Sequence, residues 1–156
     1  MSTQADIGHL LRRATFGPFP GQVDSLVPAG TGAALNSVLT SAPSALPAPP
    51  GYVYLSIEPV EWWLRRVRDP GAGLVEKMVL FWHGLLVSAQ DKVNDWEWMW
   101  EQNLLFRQYA LGNFRSLLQA ITIDRAMLFY LDGNRSNAAS PNENFGRELM
   151  ELFTLG

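Results

Sequence analysis

The chain has 156 residues, a formal net charge of -3 and no cysteine. That length suffices for one domain with a substantial core, while the missing thiols exclude disulfides, thiolate metal sites and a cysteine nucleophile. The acidic balance argues against nucleic acid as a partner, because affinity for phosphates needs clustered Lys and Arg.

Asp6 is placed to cap a short first helix running to about Ala14, which the cluster Gly17-Pro18-Phe19-Pro20-Gly21 ends. A second helix follows Pro20, and Thr31 can cap a third that carries Leu35, Val38 and Leu39. Residues 1–40 are thus N-terminal helices. Residues 41–57 form a proline-rich linker, whose prolines favour an extended, polyproline-like chain. Within it, Tyr52-Val53-Tyr54-Leu55 is the one strand-like run, too isolated to build a sheet.

Residues 58–156 make the main helical region, read as one domain with residues 1–40. Periodicity predicts helices from Glu58 to Arg68, Gly73 to about Gln90, Asp95 to about Leu111, Phe114 to Ile123, Asp124 to Leu131 and Pro141 to Leu155. The fold expected is therefore all-α, an irregular array of about seven or eight helices. The most apolar run, Val79 to Val87, is broken by His83 and Gly84 and falls far short of the roughly 20 residues that span a bilayer. It reads as a buried helix of a soluble protein. The first thirty residues carry no secretory signal pattern, so the sequence holds no export address.

Chemistry-bearing side chains are few. Ser140-Pro141-Asn142-Glu143 fits a helix start, with serine as cap, proline at the first turn and glutamate closing a capping box. Beyond it, Asn144, Glu148 and Glu151 share one stripe and Phe145, Leu149, Leu152 and Phe153 another. Two carboxylates three residues apart can share a proton or clasp a cation. The plainer reading is a solvated helix face balanced by Arg147, or an ion pair with Arg107 or Arg115, and both stay open. A di-iron helix needs Glu-x-x-His, where this chain has Glu-x-x-Glu.

His83 shares a face with Glu76 and Gln90, each seven residues apart, and that row can satisfy a structural histidine. It could equally serve as a general base or a metal ligand. His9 reads as a helix-surface group. The six tryptophans, Trp62, Trp63, Trp82, Trp96, Trp98 and Trp100, suit aromatic core packing at helical spacing, with sugar stacking as the rival. Asn94 with Glu97 supplies a start box for the helix bearing the last three.

Several segments, in order, resemble the recurring text of the bacterial family called domain of unknown function 1800 (DUF1800). They are His9-Leu-Leu-Arg-Arg-Ala-Thr-Phe-Gly17, Glu76-Lys-Met-Val-Leu-Phe-Trp-His83, Leu111-Gly-Asn-Phe-Arg115, Ala126-Met-Leu-Phe-Tyr-Leu-Asp132 and the block from Pro141 to Gly156. The resemblance covers nearly the whole chain. It implies an N-terminal portion of a longer, often exported protein with no settled activity, and hence a fragment incomplete relative to the full domain. A histidine that the family commonly places two residues after His83 is Leu85 here, and another, just before the Ala-Leu-Gly-Asn-Phe block, is Tyr109. Both departures weaken any histidine-rich metal site.

Two functions are expected from different classes. One is a structural or interaction module, with an apolar face covered by self-association or a protein partner. The other is a hydrolase-like or metal-dependent enzyme with catalytic His83, Glu148 and Glu151, binding residues Asn142, Glu143, Asn144 and Arg147, and further residues from a C-terminal continuation. No cofactor motif is identified, and a divalent metal is the one such group the inventory allows.

Overall fold

The structure is a computed structural model that describes residues 3–41 and 58–155. Most of the proline-rich linker, with its strand-like run, and Gly156 lie outside the described residues. The all-α expectation holds: seven helices of eight residues or more occur among the described residues, joined by shorter turns. The only extended pairing among them is a single bridge between Asn137 and Ser140.

The chain divides into two compact units, one holding residues 3–41 and 58–78 of those described, the other residues 79–155. In the first, α1 (Thr3–Ala14), α2 (Gln22–Leu26), α3 (Gly30–Thr40) and α4 (Glu58–Val67) join the opening turns of α5 (Gly73–Leu85). Ile7 and Leu11 of α1 pack on Ala34 and Val38 of α3, each pair four residues apart and so on one helical face. Leu10, Val23, Leu26 and Leu74 close around them. Neither Asp6 nor Thr31 is the cap expected of it. Helix α1 already runs at Thr3, which leaves Asp6 inside its first turn, where a carboxylate still meets the positive end of the helix dipole. Helix α3 starts at Gly30 without a side-chain cap, after a 3-10 turn that Pro28 opens.

The end of α1 is tied off by Thr15, whose hydroxyl donates to the Leu11 carbonyl at 2.6 Å and accepts from the Gly17 amide at 3.1 Å. Gly17 needs its φ of 113°, a conformation that L side chains rarely adopt. Thr15 also bears on the start of α5, because a Cβ at Gly73 would lie 2.7 Å from the Thr15 methyl. Among the unit's charged contacts, Arg66 meets Glu76 in the interior, and Lys77 lies 5.1 Å above the Phe16 ring.

The second unit holds the rest of α5, then α6 (Gln90–Val93), α7 (Trp96–Gln108), α8 (Phe114–Ile121), α9 (Arg125–Tyr130) and α10 (Glu143–Met150), which ends in a π turn over Glu151–Leu155. Its core is built on Phe106, Leu117, Ile121 and Met127, all fully buried. Helix α5 stops at Leu85 rather than Gln90, and Ala89 takes an extended conformation before α6 begins. Four starts rest on side-chain caps, that of α10 among them. Asp95 accepts from the amides of Glu97 and Trp98, Asn113 from Ser116, and Asp124 from Met127. The expected cap Asn94 instead ends α6 with φ 53°, a left-handed conformation that asparagine tolerates, and the next residue does the capping.

Candidate functional site

Helix α10 carries most of the site residues expected from sequence. Its cap is Asn142 rather than Ser140: the Asn142 Oδ1 accepts from the Phe145 amide at 3.2 Å, while its Nδ2 donates to the Leu131 carbonyl at 2.9 Å. One side chain thus starts this helix and fastens it to the end of α9. Ser140 sits one turn earlier, its amide donating to Asn137 Oδ1 at 3.0 Å. Both residue types can cap, and here the asparagine amide does so with its oxygen while donating outward with its nitrogen.

The helix is amphipathic as the spacing required. Phe153 is buried, and Phe145 and Leu149 are half-buried, whereas Glu143, Asn144 and Glu151 are exposed. Arg147 Nη2 donates to Asn144 Oδ1 and lies 3.4 Å from Glu148 Oε1. Asn144, Arg147 and Glu148 therefore come together, with the Glu148 side chain 23% exposed against 59% for Arg147. Glu148 of the carboxylate stripe is thus balanced from within its own helix. Of the other expected anchors, Arg107 donates to the Asn103 carbonyl at 3.4 Å and Arg115 is exposed. After Met150 the turns widen, and the Thr154 hydroxyl reaches both the Leu149 and Met150 carbonyls.

His83 stands on α5, its ring edge-on to Phe106 of α7 with centroids 6.0 Å apart. Burial there pushes the imidazole below its ordinary value, because a charged ring would lose its hydration. At neutral pH it is an uncharged base. Glu76, from the same helical row, is fully buried and pairs with Arg66. The third member of that row, Gln90, has its Oε1 buried without a hydrogen-bond partner among the described residues, as does Asn103 with its Oδ1. His9 is exposed, as expected. No group of three or more His, Cys, Asp or Glu among the described residues could hold a metal ion.

Sequence reasoning missed two features. The first is a buried polar chain: Ser88 Oγ bonds to Gln102 Oε1, and Gln102 Nε2 donates to Asp124 Oδ1 at 2.7 Å. Burial raises the Asp124 carboxyl above its ordinary value, against the bonds from Met127 and Gln102 that favour its charged form. The capping role of Asp124 was legible from its place before a helical run, whereas its partner Gln102, fourteen residues from Ser88, had no local signal.

The second is the orientation of α5. The run from Val79 to Val87 was expected to be buried, yet Phe81 is 53% and Leu80 46% exposed, while Glu76 of the same helix is fully enclosed. Leu111 (56%), in the turn after α7, and Phe114 (39%), at the start of α8, are exposed too. Trp82 joins the two elements: its Nε1 donates to the Ala110 carbonyl at 3.0 Å, its ring stacks on Phe114 at 5.6 Å, and Phe81 meets it edge-on at 4.9 Å. All six indoles are half-buried.

A family model described as a protein of unknown function (DUF1800) matches residues 9–156. Searches among curated proteins and among solved structures gave no match.

Proposed function

The chain belongs to the DUF1800 family, and from that premise we propose that it serves as a helical structural or interaction module rather than as a self-contained catalyst. The observation that carries this reading is the burial of α5, whose Glu76 is fully enclosed while Leu80 and Phe81 face solvent, with Phe81 joined through Trp82 to the exposed Phe114. An exposed cluster of large apolar side chains marks a surface that another polypeptide covers. No helix among the described residues is long and apolar enough to cross a membrane. The net charge of -3 favours protein over nucleic acid as the partner.

The reading is tested by fluorescence of a solvatochromic dye such as ANS on the purified chain. A signal that falls in the Phe81→Ser, Leu111→Ser double variant, with the thermal midpoint kept, supports it. A chain that raises no dye signal at all rules it out.

A second reading, a hydrolase-like or metal-assisted enzyme using His83 with Glu148 and Glu151, is favoured by one observation: burial keeps the imidazole uncharged and so able to accept a proton or bind a cation. In this reading Asn142, Glu143, Asn144 and Arg147 bind substrate. It expects an activated ester to be hydrolysed and the rate to vanish in His83→Gln. Its metal version expects zinc or manganese to raise the thermal midpoint and a chelator to lower it. Rates and midpoints that ignore both changes remove it.

A further inference from the structure

Asn134-Arg135-Ser136 is the one Asn-x-Ser/Thr triplet in the chain, the acceptor pattern for an N-linked glycan. Such triplets are common, so the placement of this one carries the argument. It lies between α9 and α10, where residues 134–141 are all exposed. Asn113 and Asn142 cap helices and Asn144 accepts from Arg147, whereas the Asn134 side chain makes no hydrogen bond among the described residues.

The loop is fixed at its base and open beyond it. A Cβ at Gly133 would lie 3.0 Å from side-chain atoms of both Leu128 and Phe145, so the chain is closely packed there against α9 and α10. Asp132 takes a φ of 57° and pairs with Lys92 at 3.1 Å. A 3-10 turn over Gly133–Arg135 then carries Asn134 at its centre. Ser136 Oγ accepts from the Asn142 amide at 3.0 Å, and a hydroxyl that accepts keeps its own proton to donate. The two polar groups of the acceptor pattern, the Asn134 amide and the Ser136 hydroxyl proton, are thus both unspent. The Arg135 and Ser136 amides close the turn on the Asp132 and Gly133 carbonyls at 3.1 Å each, and an exposed turn held this way opens locally at low cost.

We propose that Asn134 of the folded chain is an acceptor for N-linked glycosylation, read within Asp132-Gly-Asn-Arg-Ser136 by an oligosaccharyltransferase whose subsite two positions before the asparagine takes a carboxylate. The donor is an isoprenoid-diphosphate-linked oligosaccharide. Asn134 Nδ2 forms a bond to the anomeric carbon of the first sugar, and the bond from that carbon to the diphosphate oxygen breaks. The isoprenoid diphosphate leaves with that electron pair, and one amide proton passes to a carboxylate of the transferase. Because residues 134–141 are exposed, the added glycan displaces no core side chain and the thermal midpoint stays where it was.

The test treats the purified, folded chain with a purified bacterial oligosaccharyltransferase of the class that requires an acidic residue two positions before the asparagine, together with its lipid-linked glycan, and reads intact mass. The mass rises by one glycan, and the increment maps to the tryptic peptide 126–135. Asn134→Gln and Ser136→Ala abolish the rise, whereas Ser136→Thr keeps it. Asp132→Asn also abolishes it, although asparagine tolerates the left-handed turn and the loop keeps its shape. A folded chain left unmodified under conditions that modify a synthetic peptide of residues 130–138 overturns the proposal. An increment that survives Asn134→Gln overturns it as well, and transfer to Asp132→Asn at the unaltered rate overturns the part given to the carboxylate.

Discussion

Arg66 Nε lies 3.3 Å from Glu76 Oε1 with the two side chains 8% and 0% exposed, an ion pair enclosed where α4 meets the start of α5. The guanidinium also lies 5.2 Å above the Trp62 ring. Removing both charges from water costs several kcal/mol, and their attraction offsets this only while both are present.

Replacing one partner is therefore worse than replacing both. Glu76→Leu should lower stability by about 3–5 kcal/mol, because it removes the carboxylate that pairs with a buried guanidinium. The Arg66→Met, Glu76→Leu double variant should recover most of that loss. Urea unfolding of the four members of the cycle checks this, and a double variant as weak as Glu76→Leu would contradict it.

Gly73 is constrained by space rather than by backbone angle. With the Thr15 methyl 2.7 Å from the position of an added Cβ, Gly73→Ala forces apart the loop after α1 and the start of α5. A loss of about 1–3 kcal/mol is expected from such overpacking. Adding Thr15→Ser deletes the offending methyl, keeps the hydroxyl that bonds Leu11 and Gly17, and should restore part of the loss. Thermal melts of the single and double variants decide the point.

Two buried groups set opposite slopes of stability with pH. Asp124 titrates above the ordinary carboxyl value of 3.8, chiefly through burial. The folded chain thus holds its proton longer than the unfolded one, and stability falls as pH rises from about that value through the folded one. His83 titrates below 6.5, again through burial. There the unfolded chain binds the proton first, so stability falls as pH drops below that value toward the folded one. Asp124→Asn keeps an oxygen for Met127 and Gln102 and should flatten the first slope alone, and His83→Gln the second. Unfolding free energies between pH 4 and 8, on the order of the carboxyl and imidazole ranges, would expose the assignment as wrong if each variant kept its slope.

How far the sequence could be read depended on the range of the interaction. Helix α1 packs through Ile7 and Leu11 because those residues recur at helical spacing, and the block after Pro141 gives an amphipathic helix for the same reason. Caps were legible as residue types but not as positions. Asn94 and Asp95 are adjacent candidates, and the left-handed turn that Asn94 adopts decides between them. Apolar density in the Val79 to Val87 run gave the helix but not its facing, since periodicity cannot say that a buried arginine waits for Glu76. The site residues divide the same way. Asn144, Arg147 and Glu148 meet because they lie within a turn or so of one another, whereas the surroundings of His83 come from α7, more than twenty residues away.

The amide of Gln102 faces Ser88 with its oxygen and Asp124 with its nitrogen. Turning that amide half over would set its oxygen against a carboxylate, which cannot donate to it, so the chain of bonds has a direction. It works as a keyed joint: the turn after α5, the middle of α7 and the residue that caps α9 engage in one orientation only. Segments locked this way part together, so the amide of Met127, held by the same carboxylate, should exchange its hydrogen in the same opening event as the backbone around Ser88.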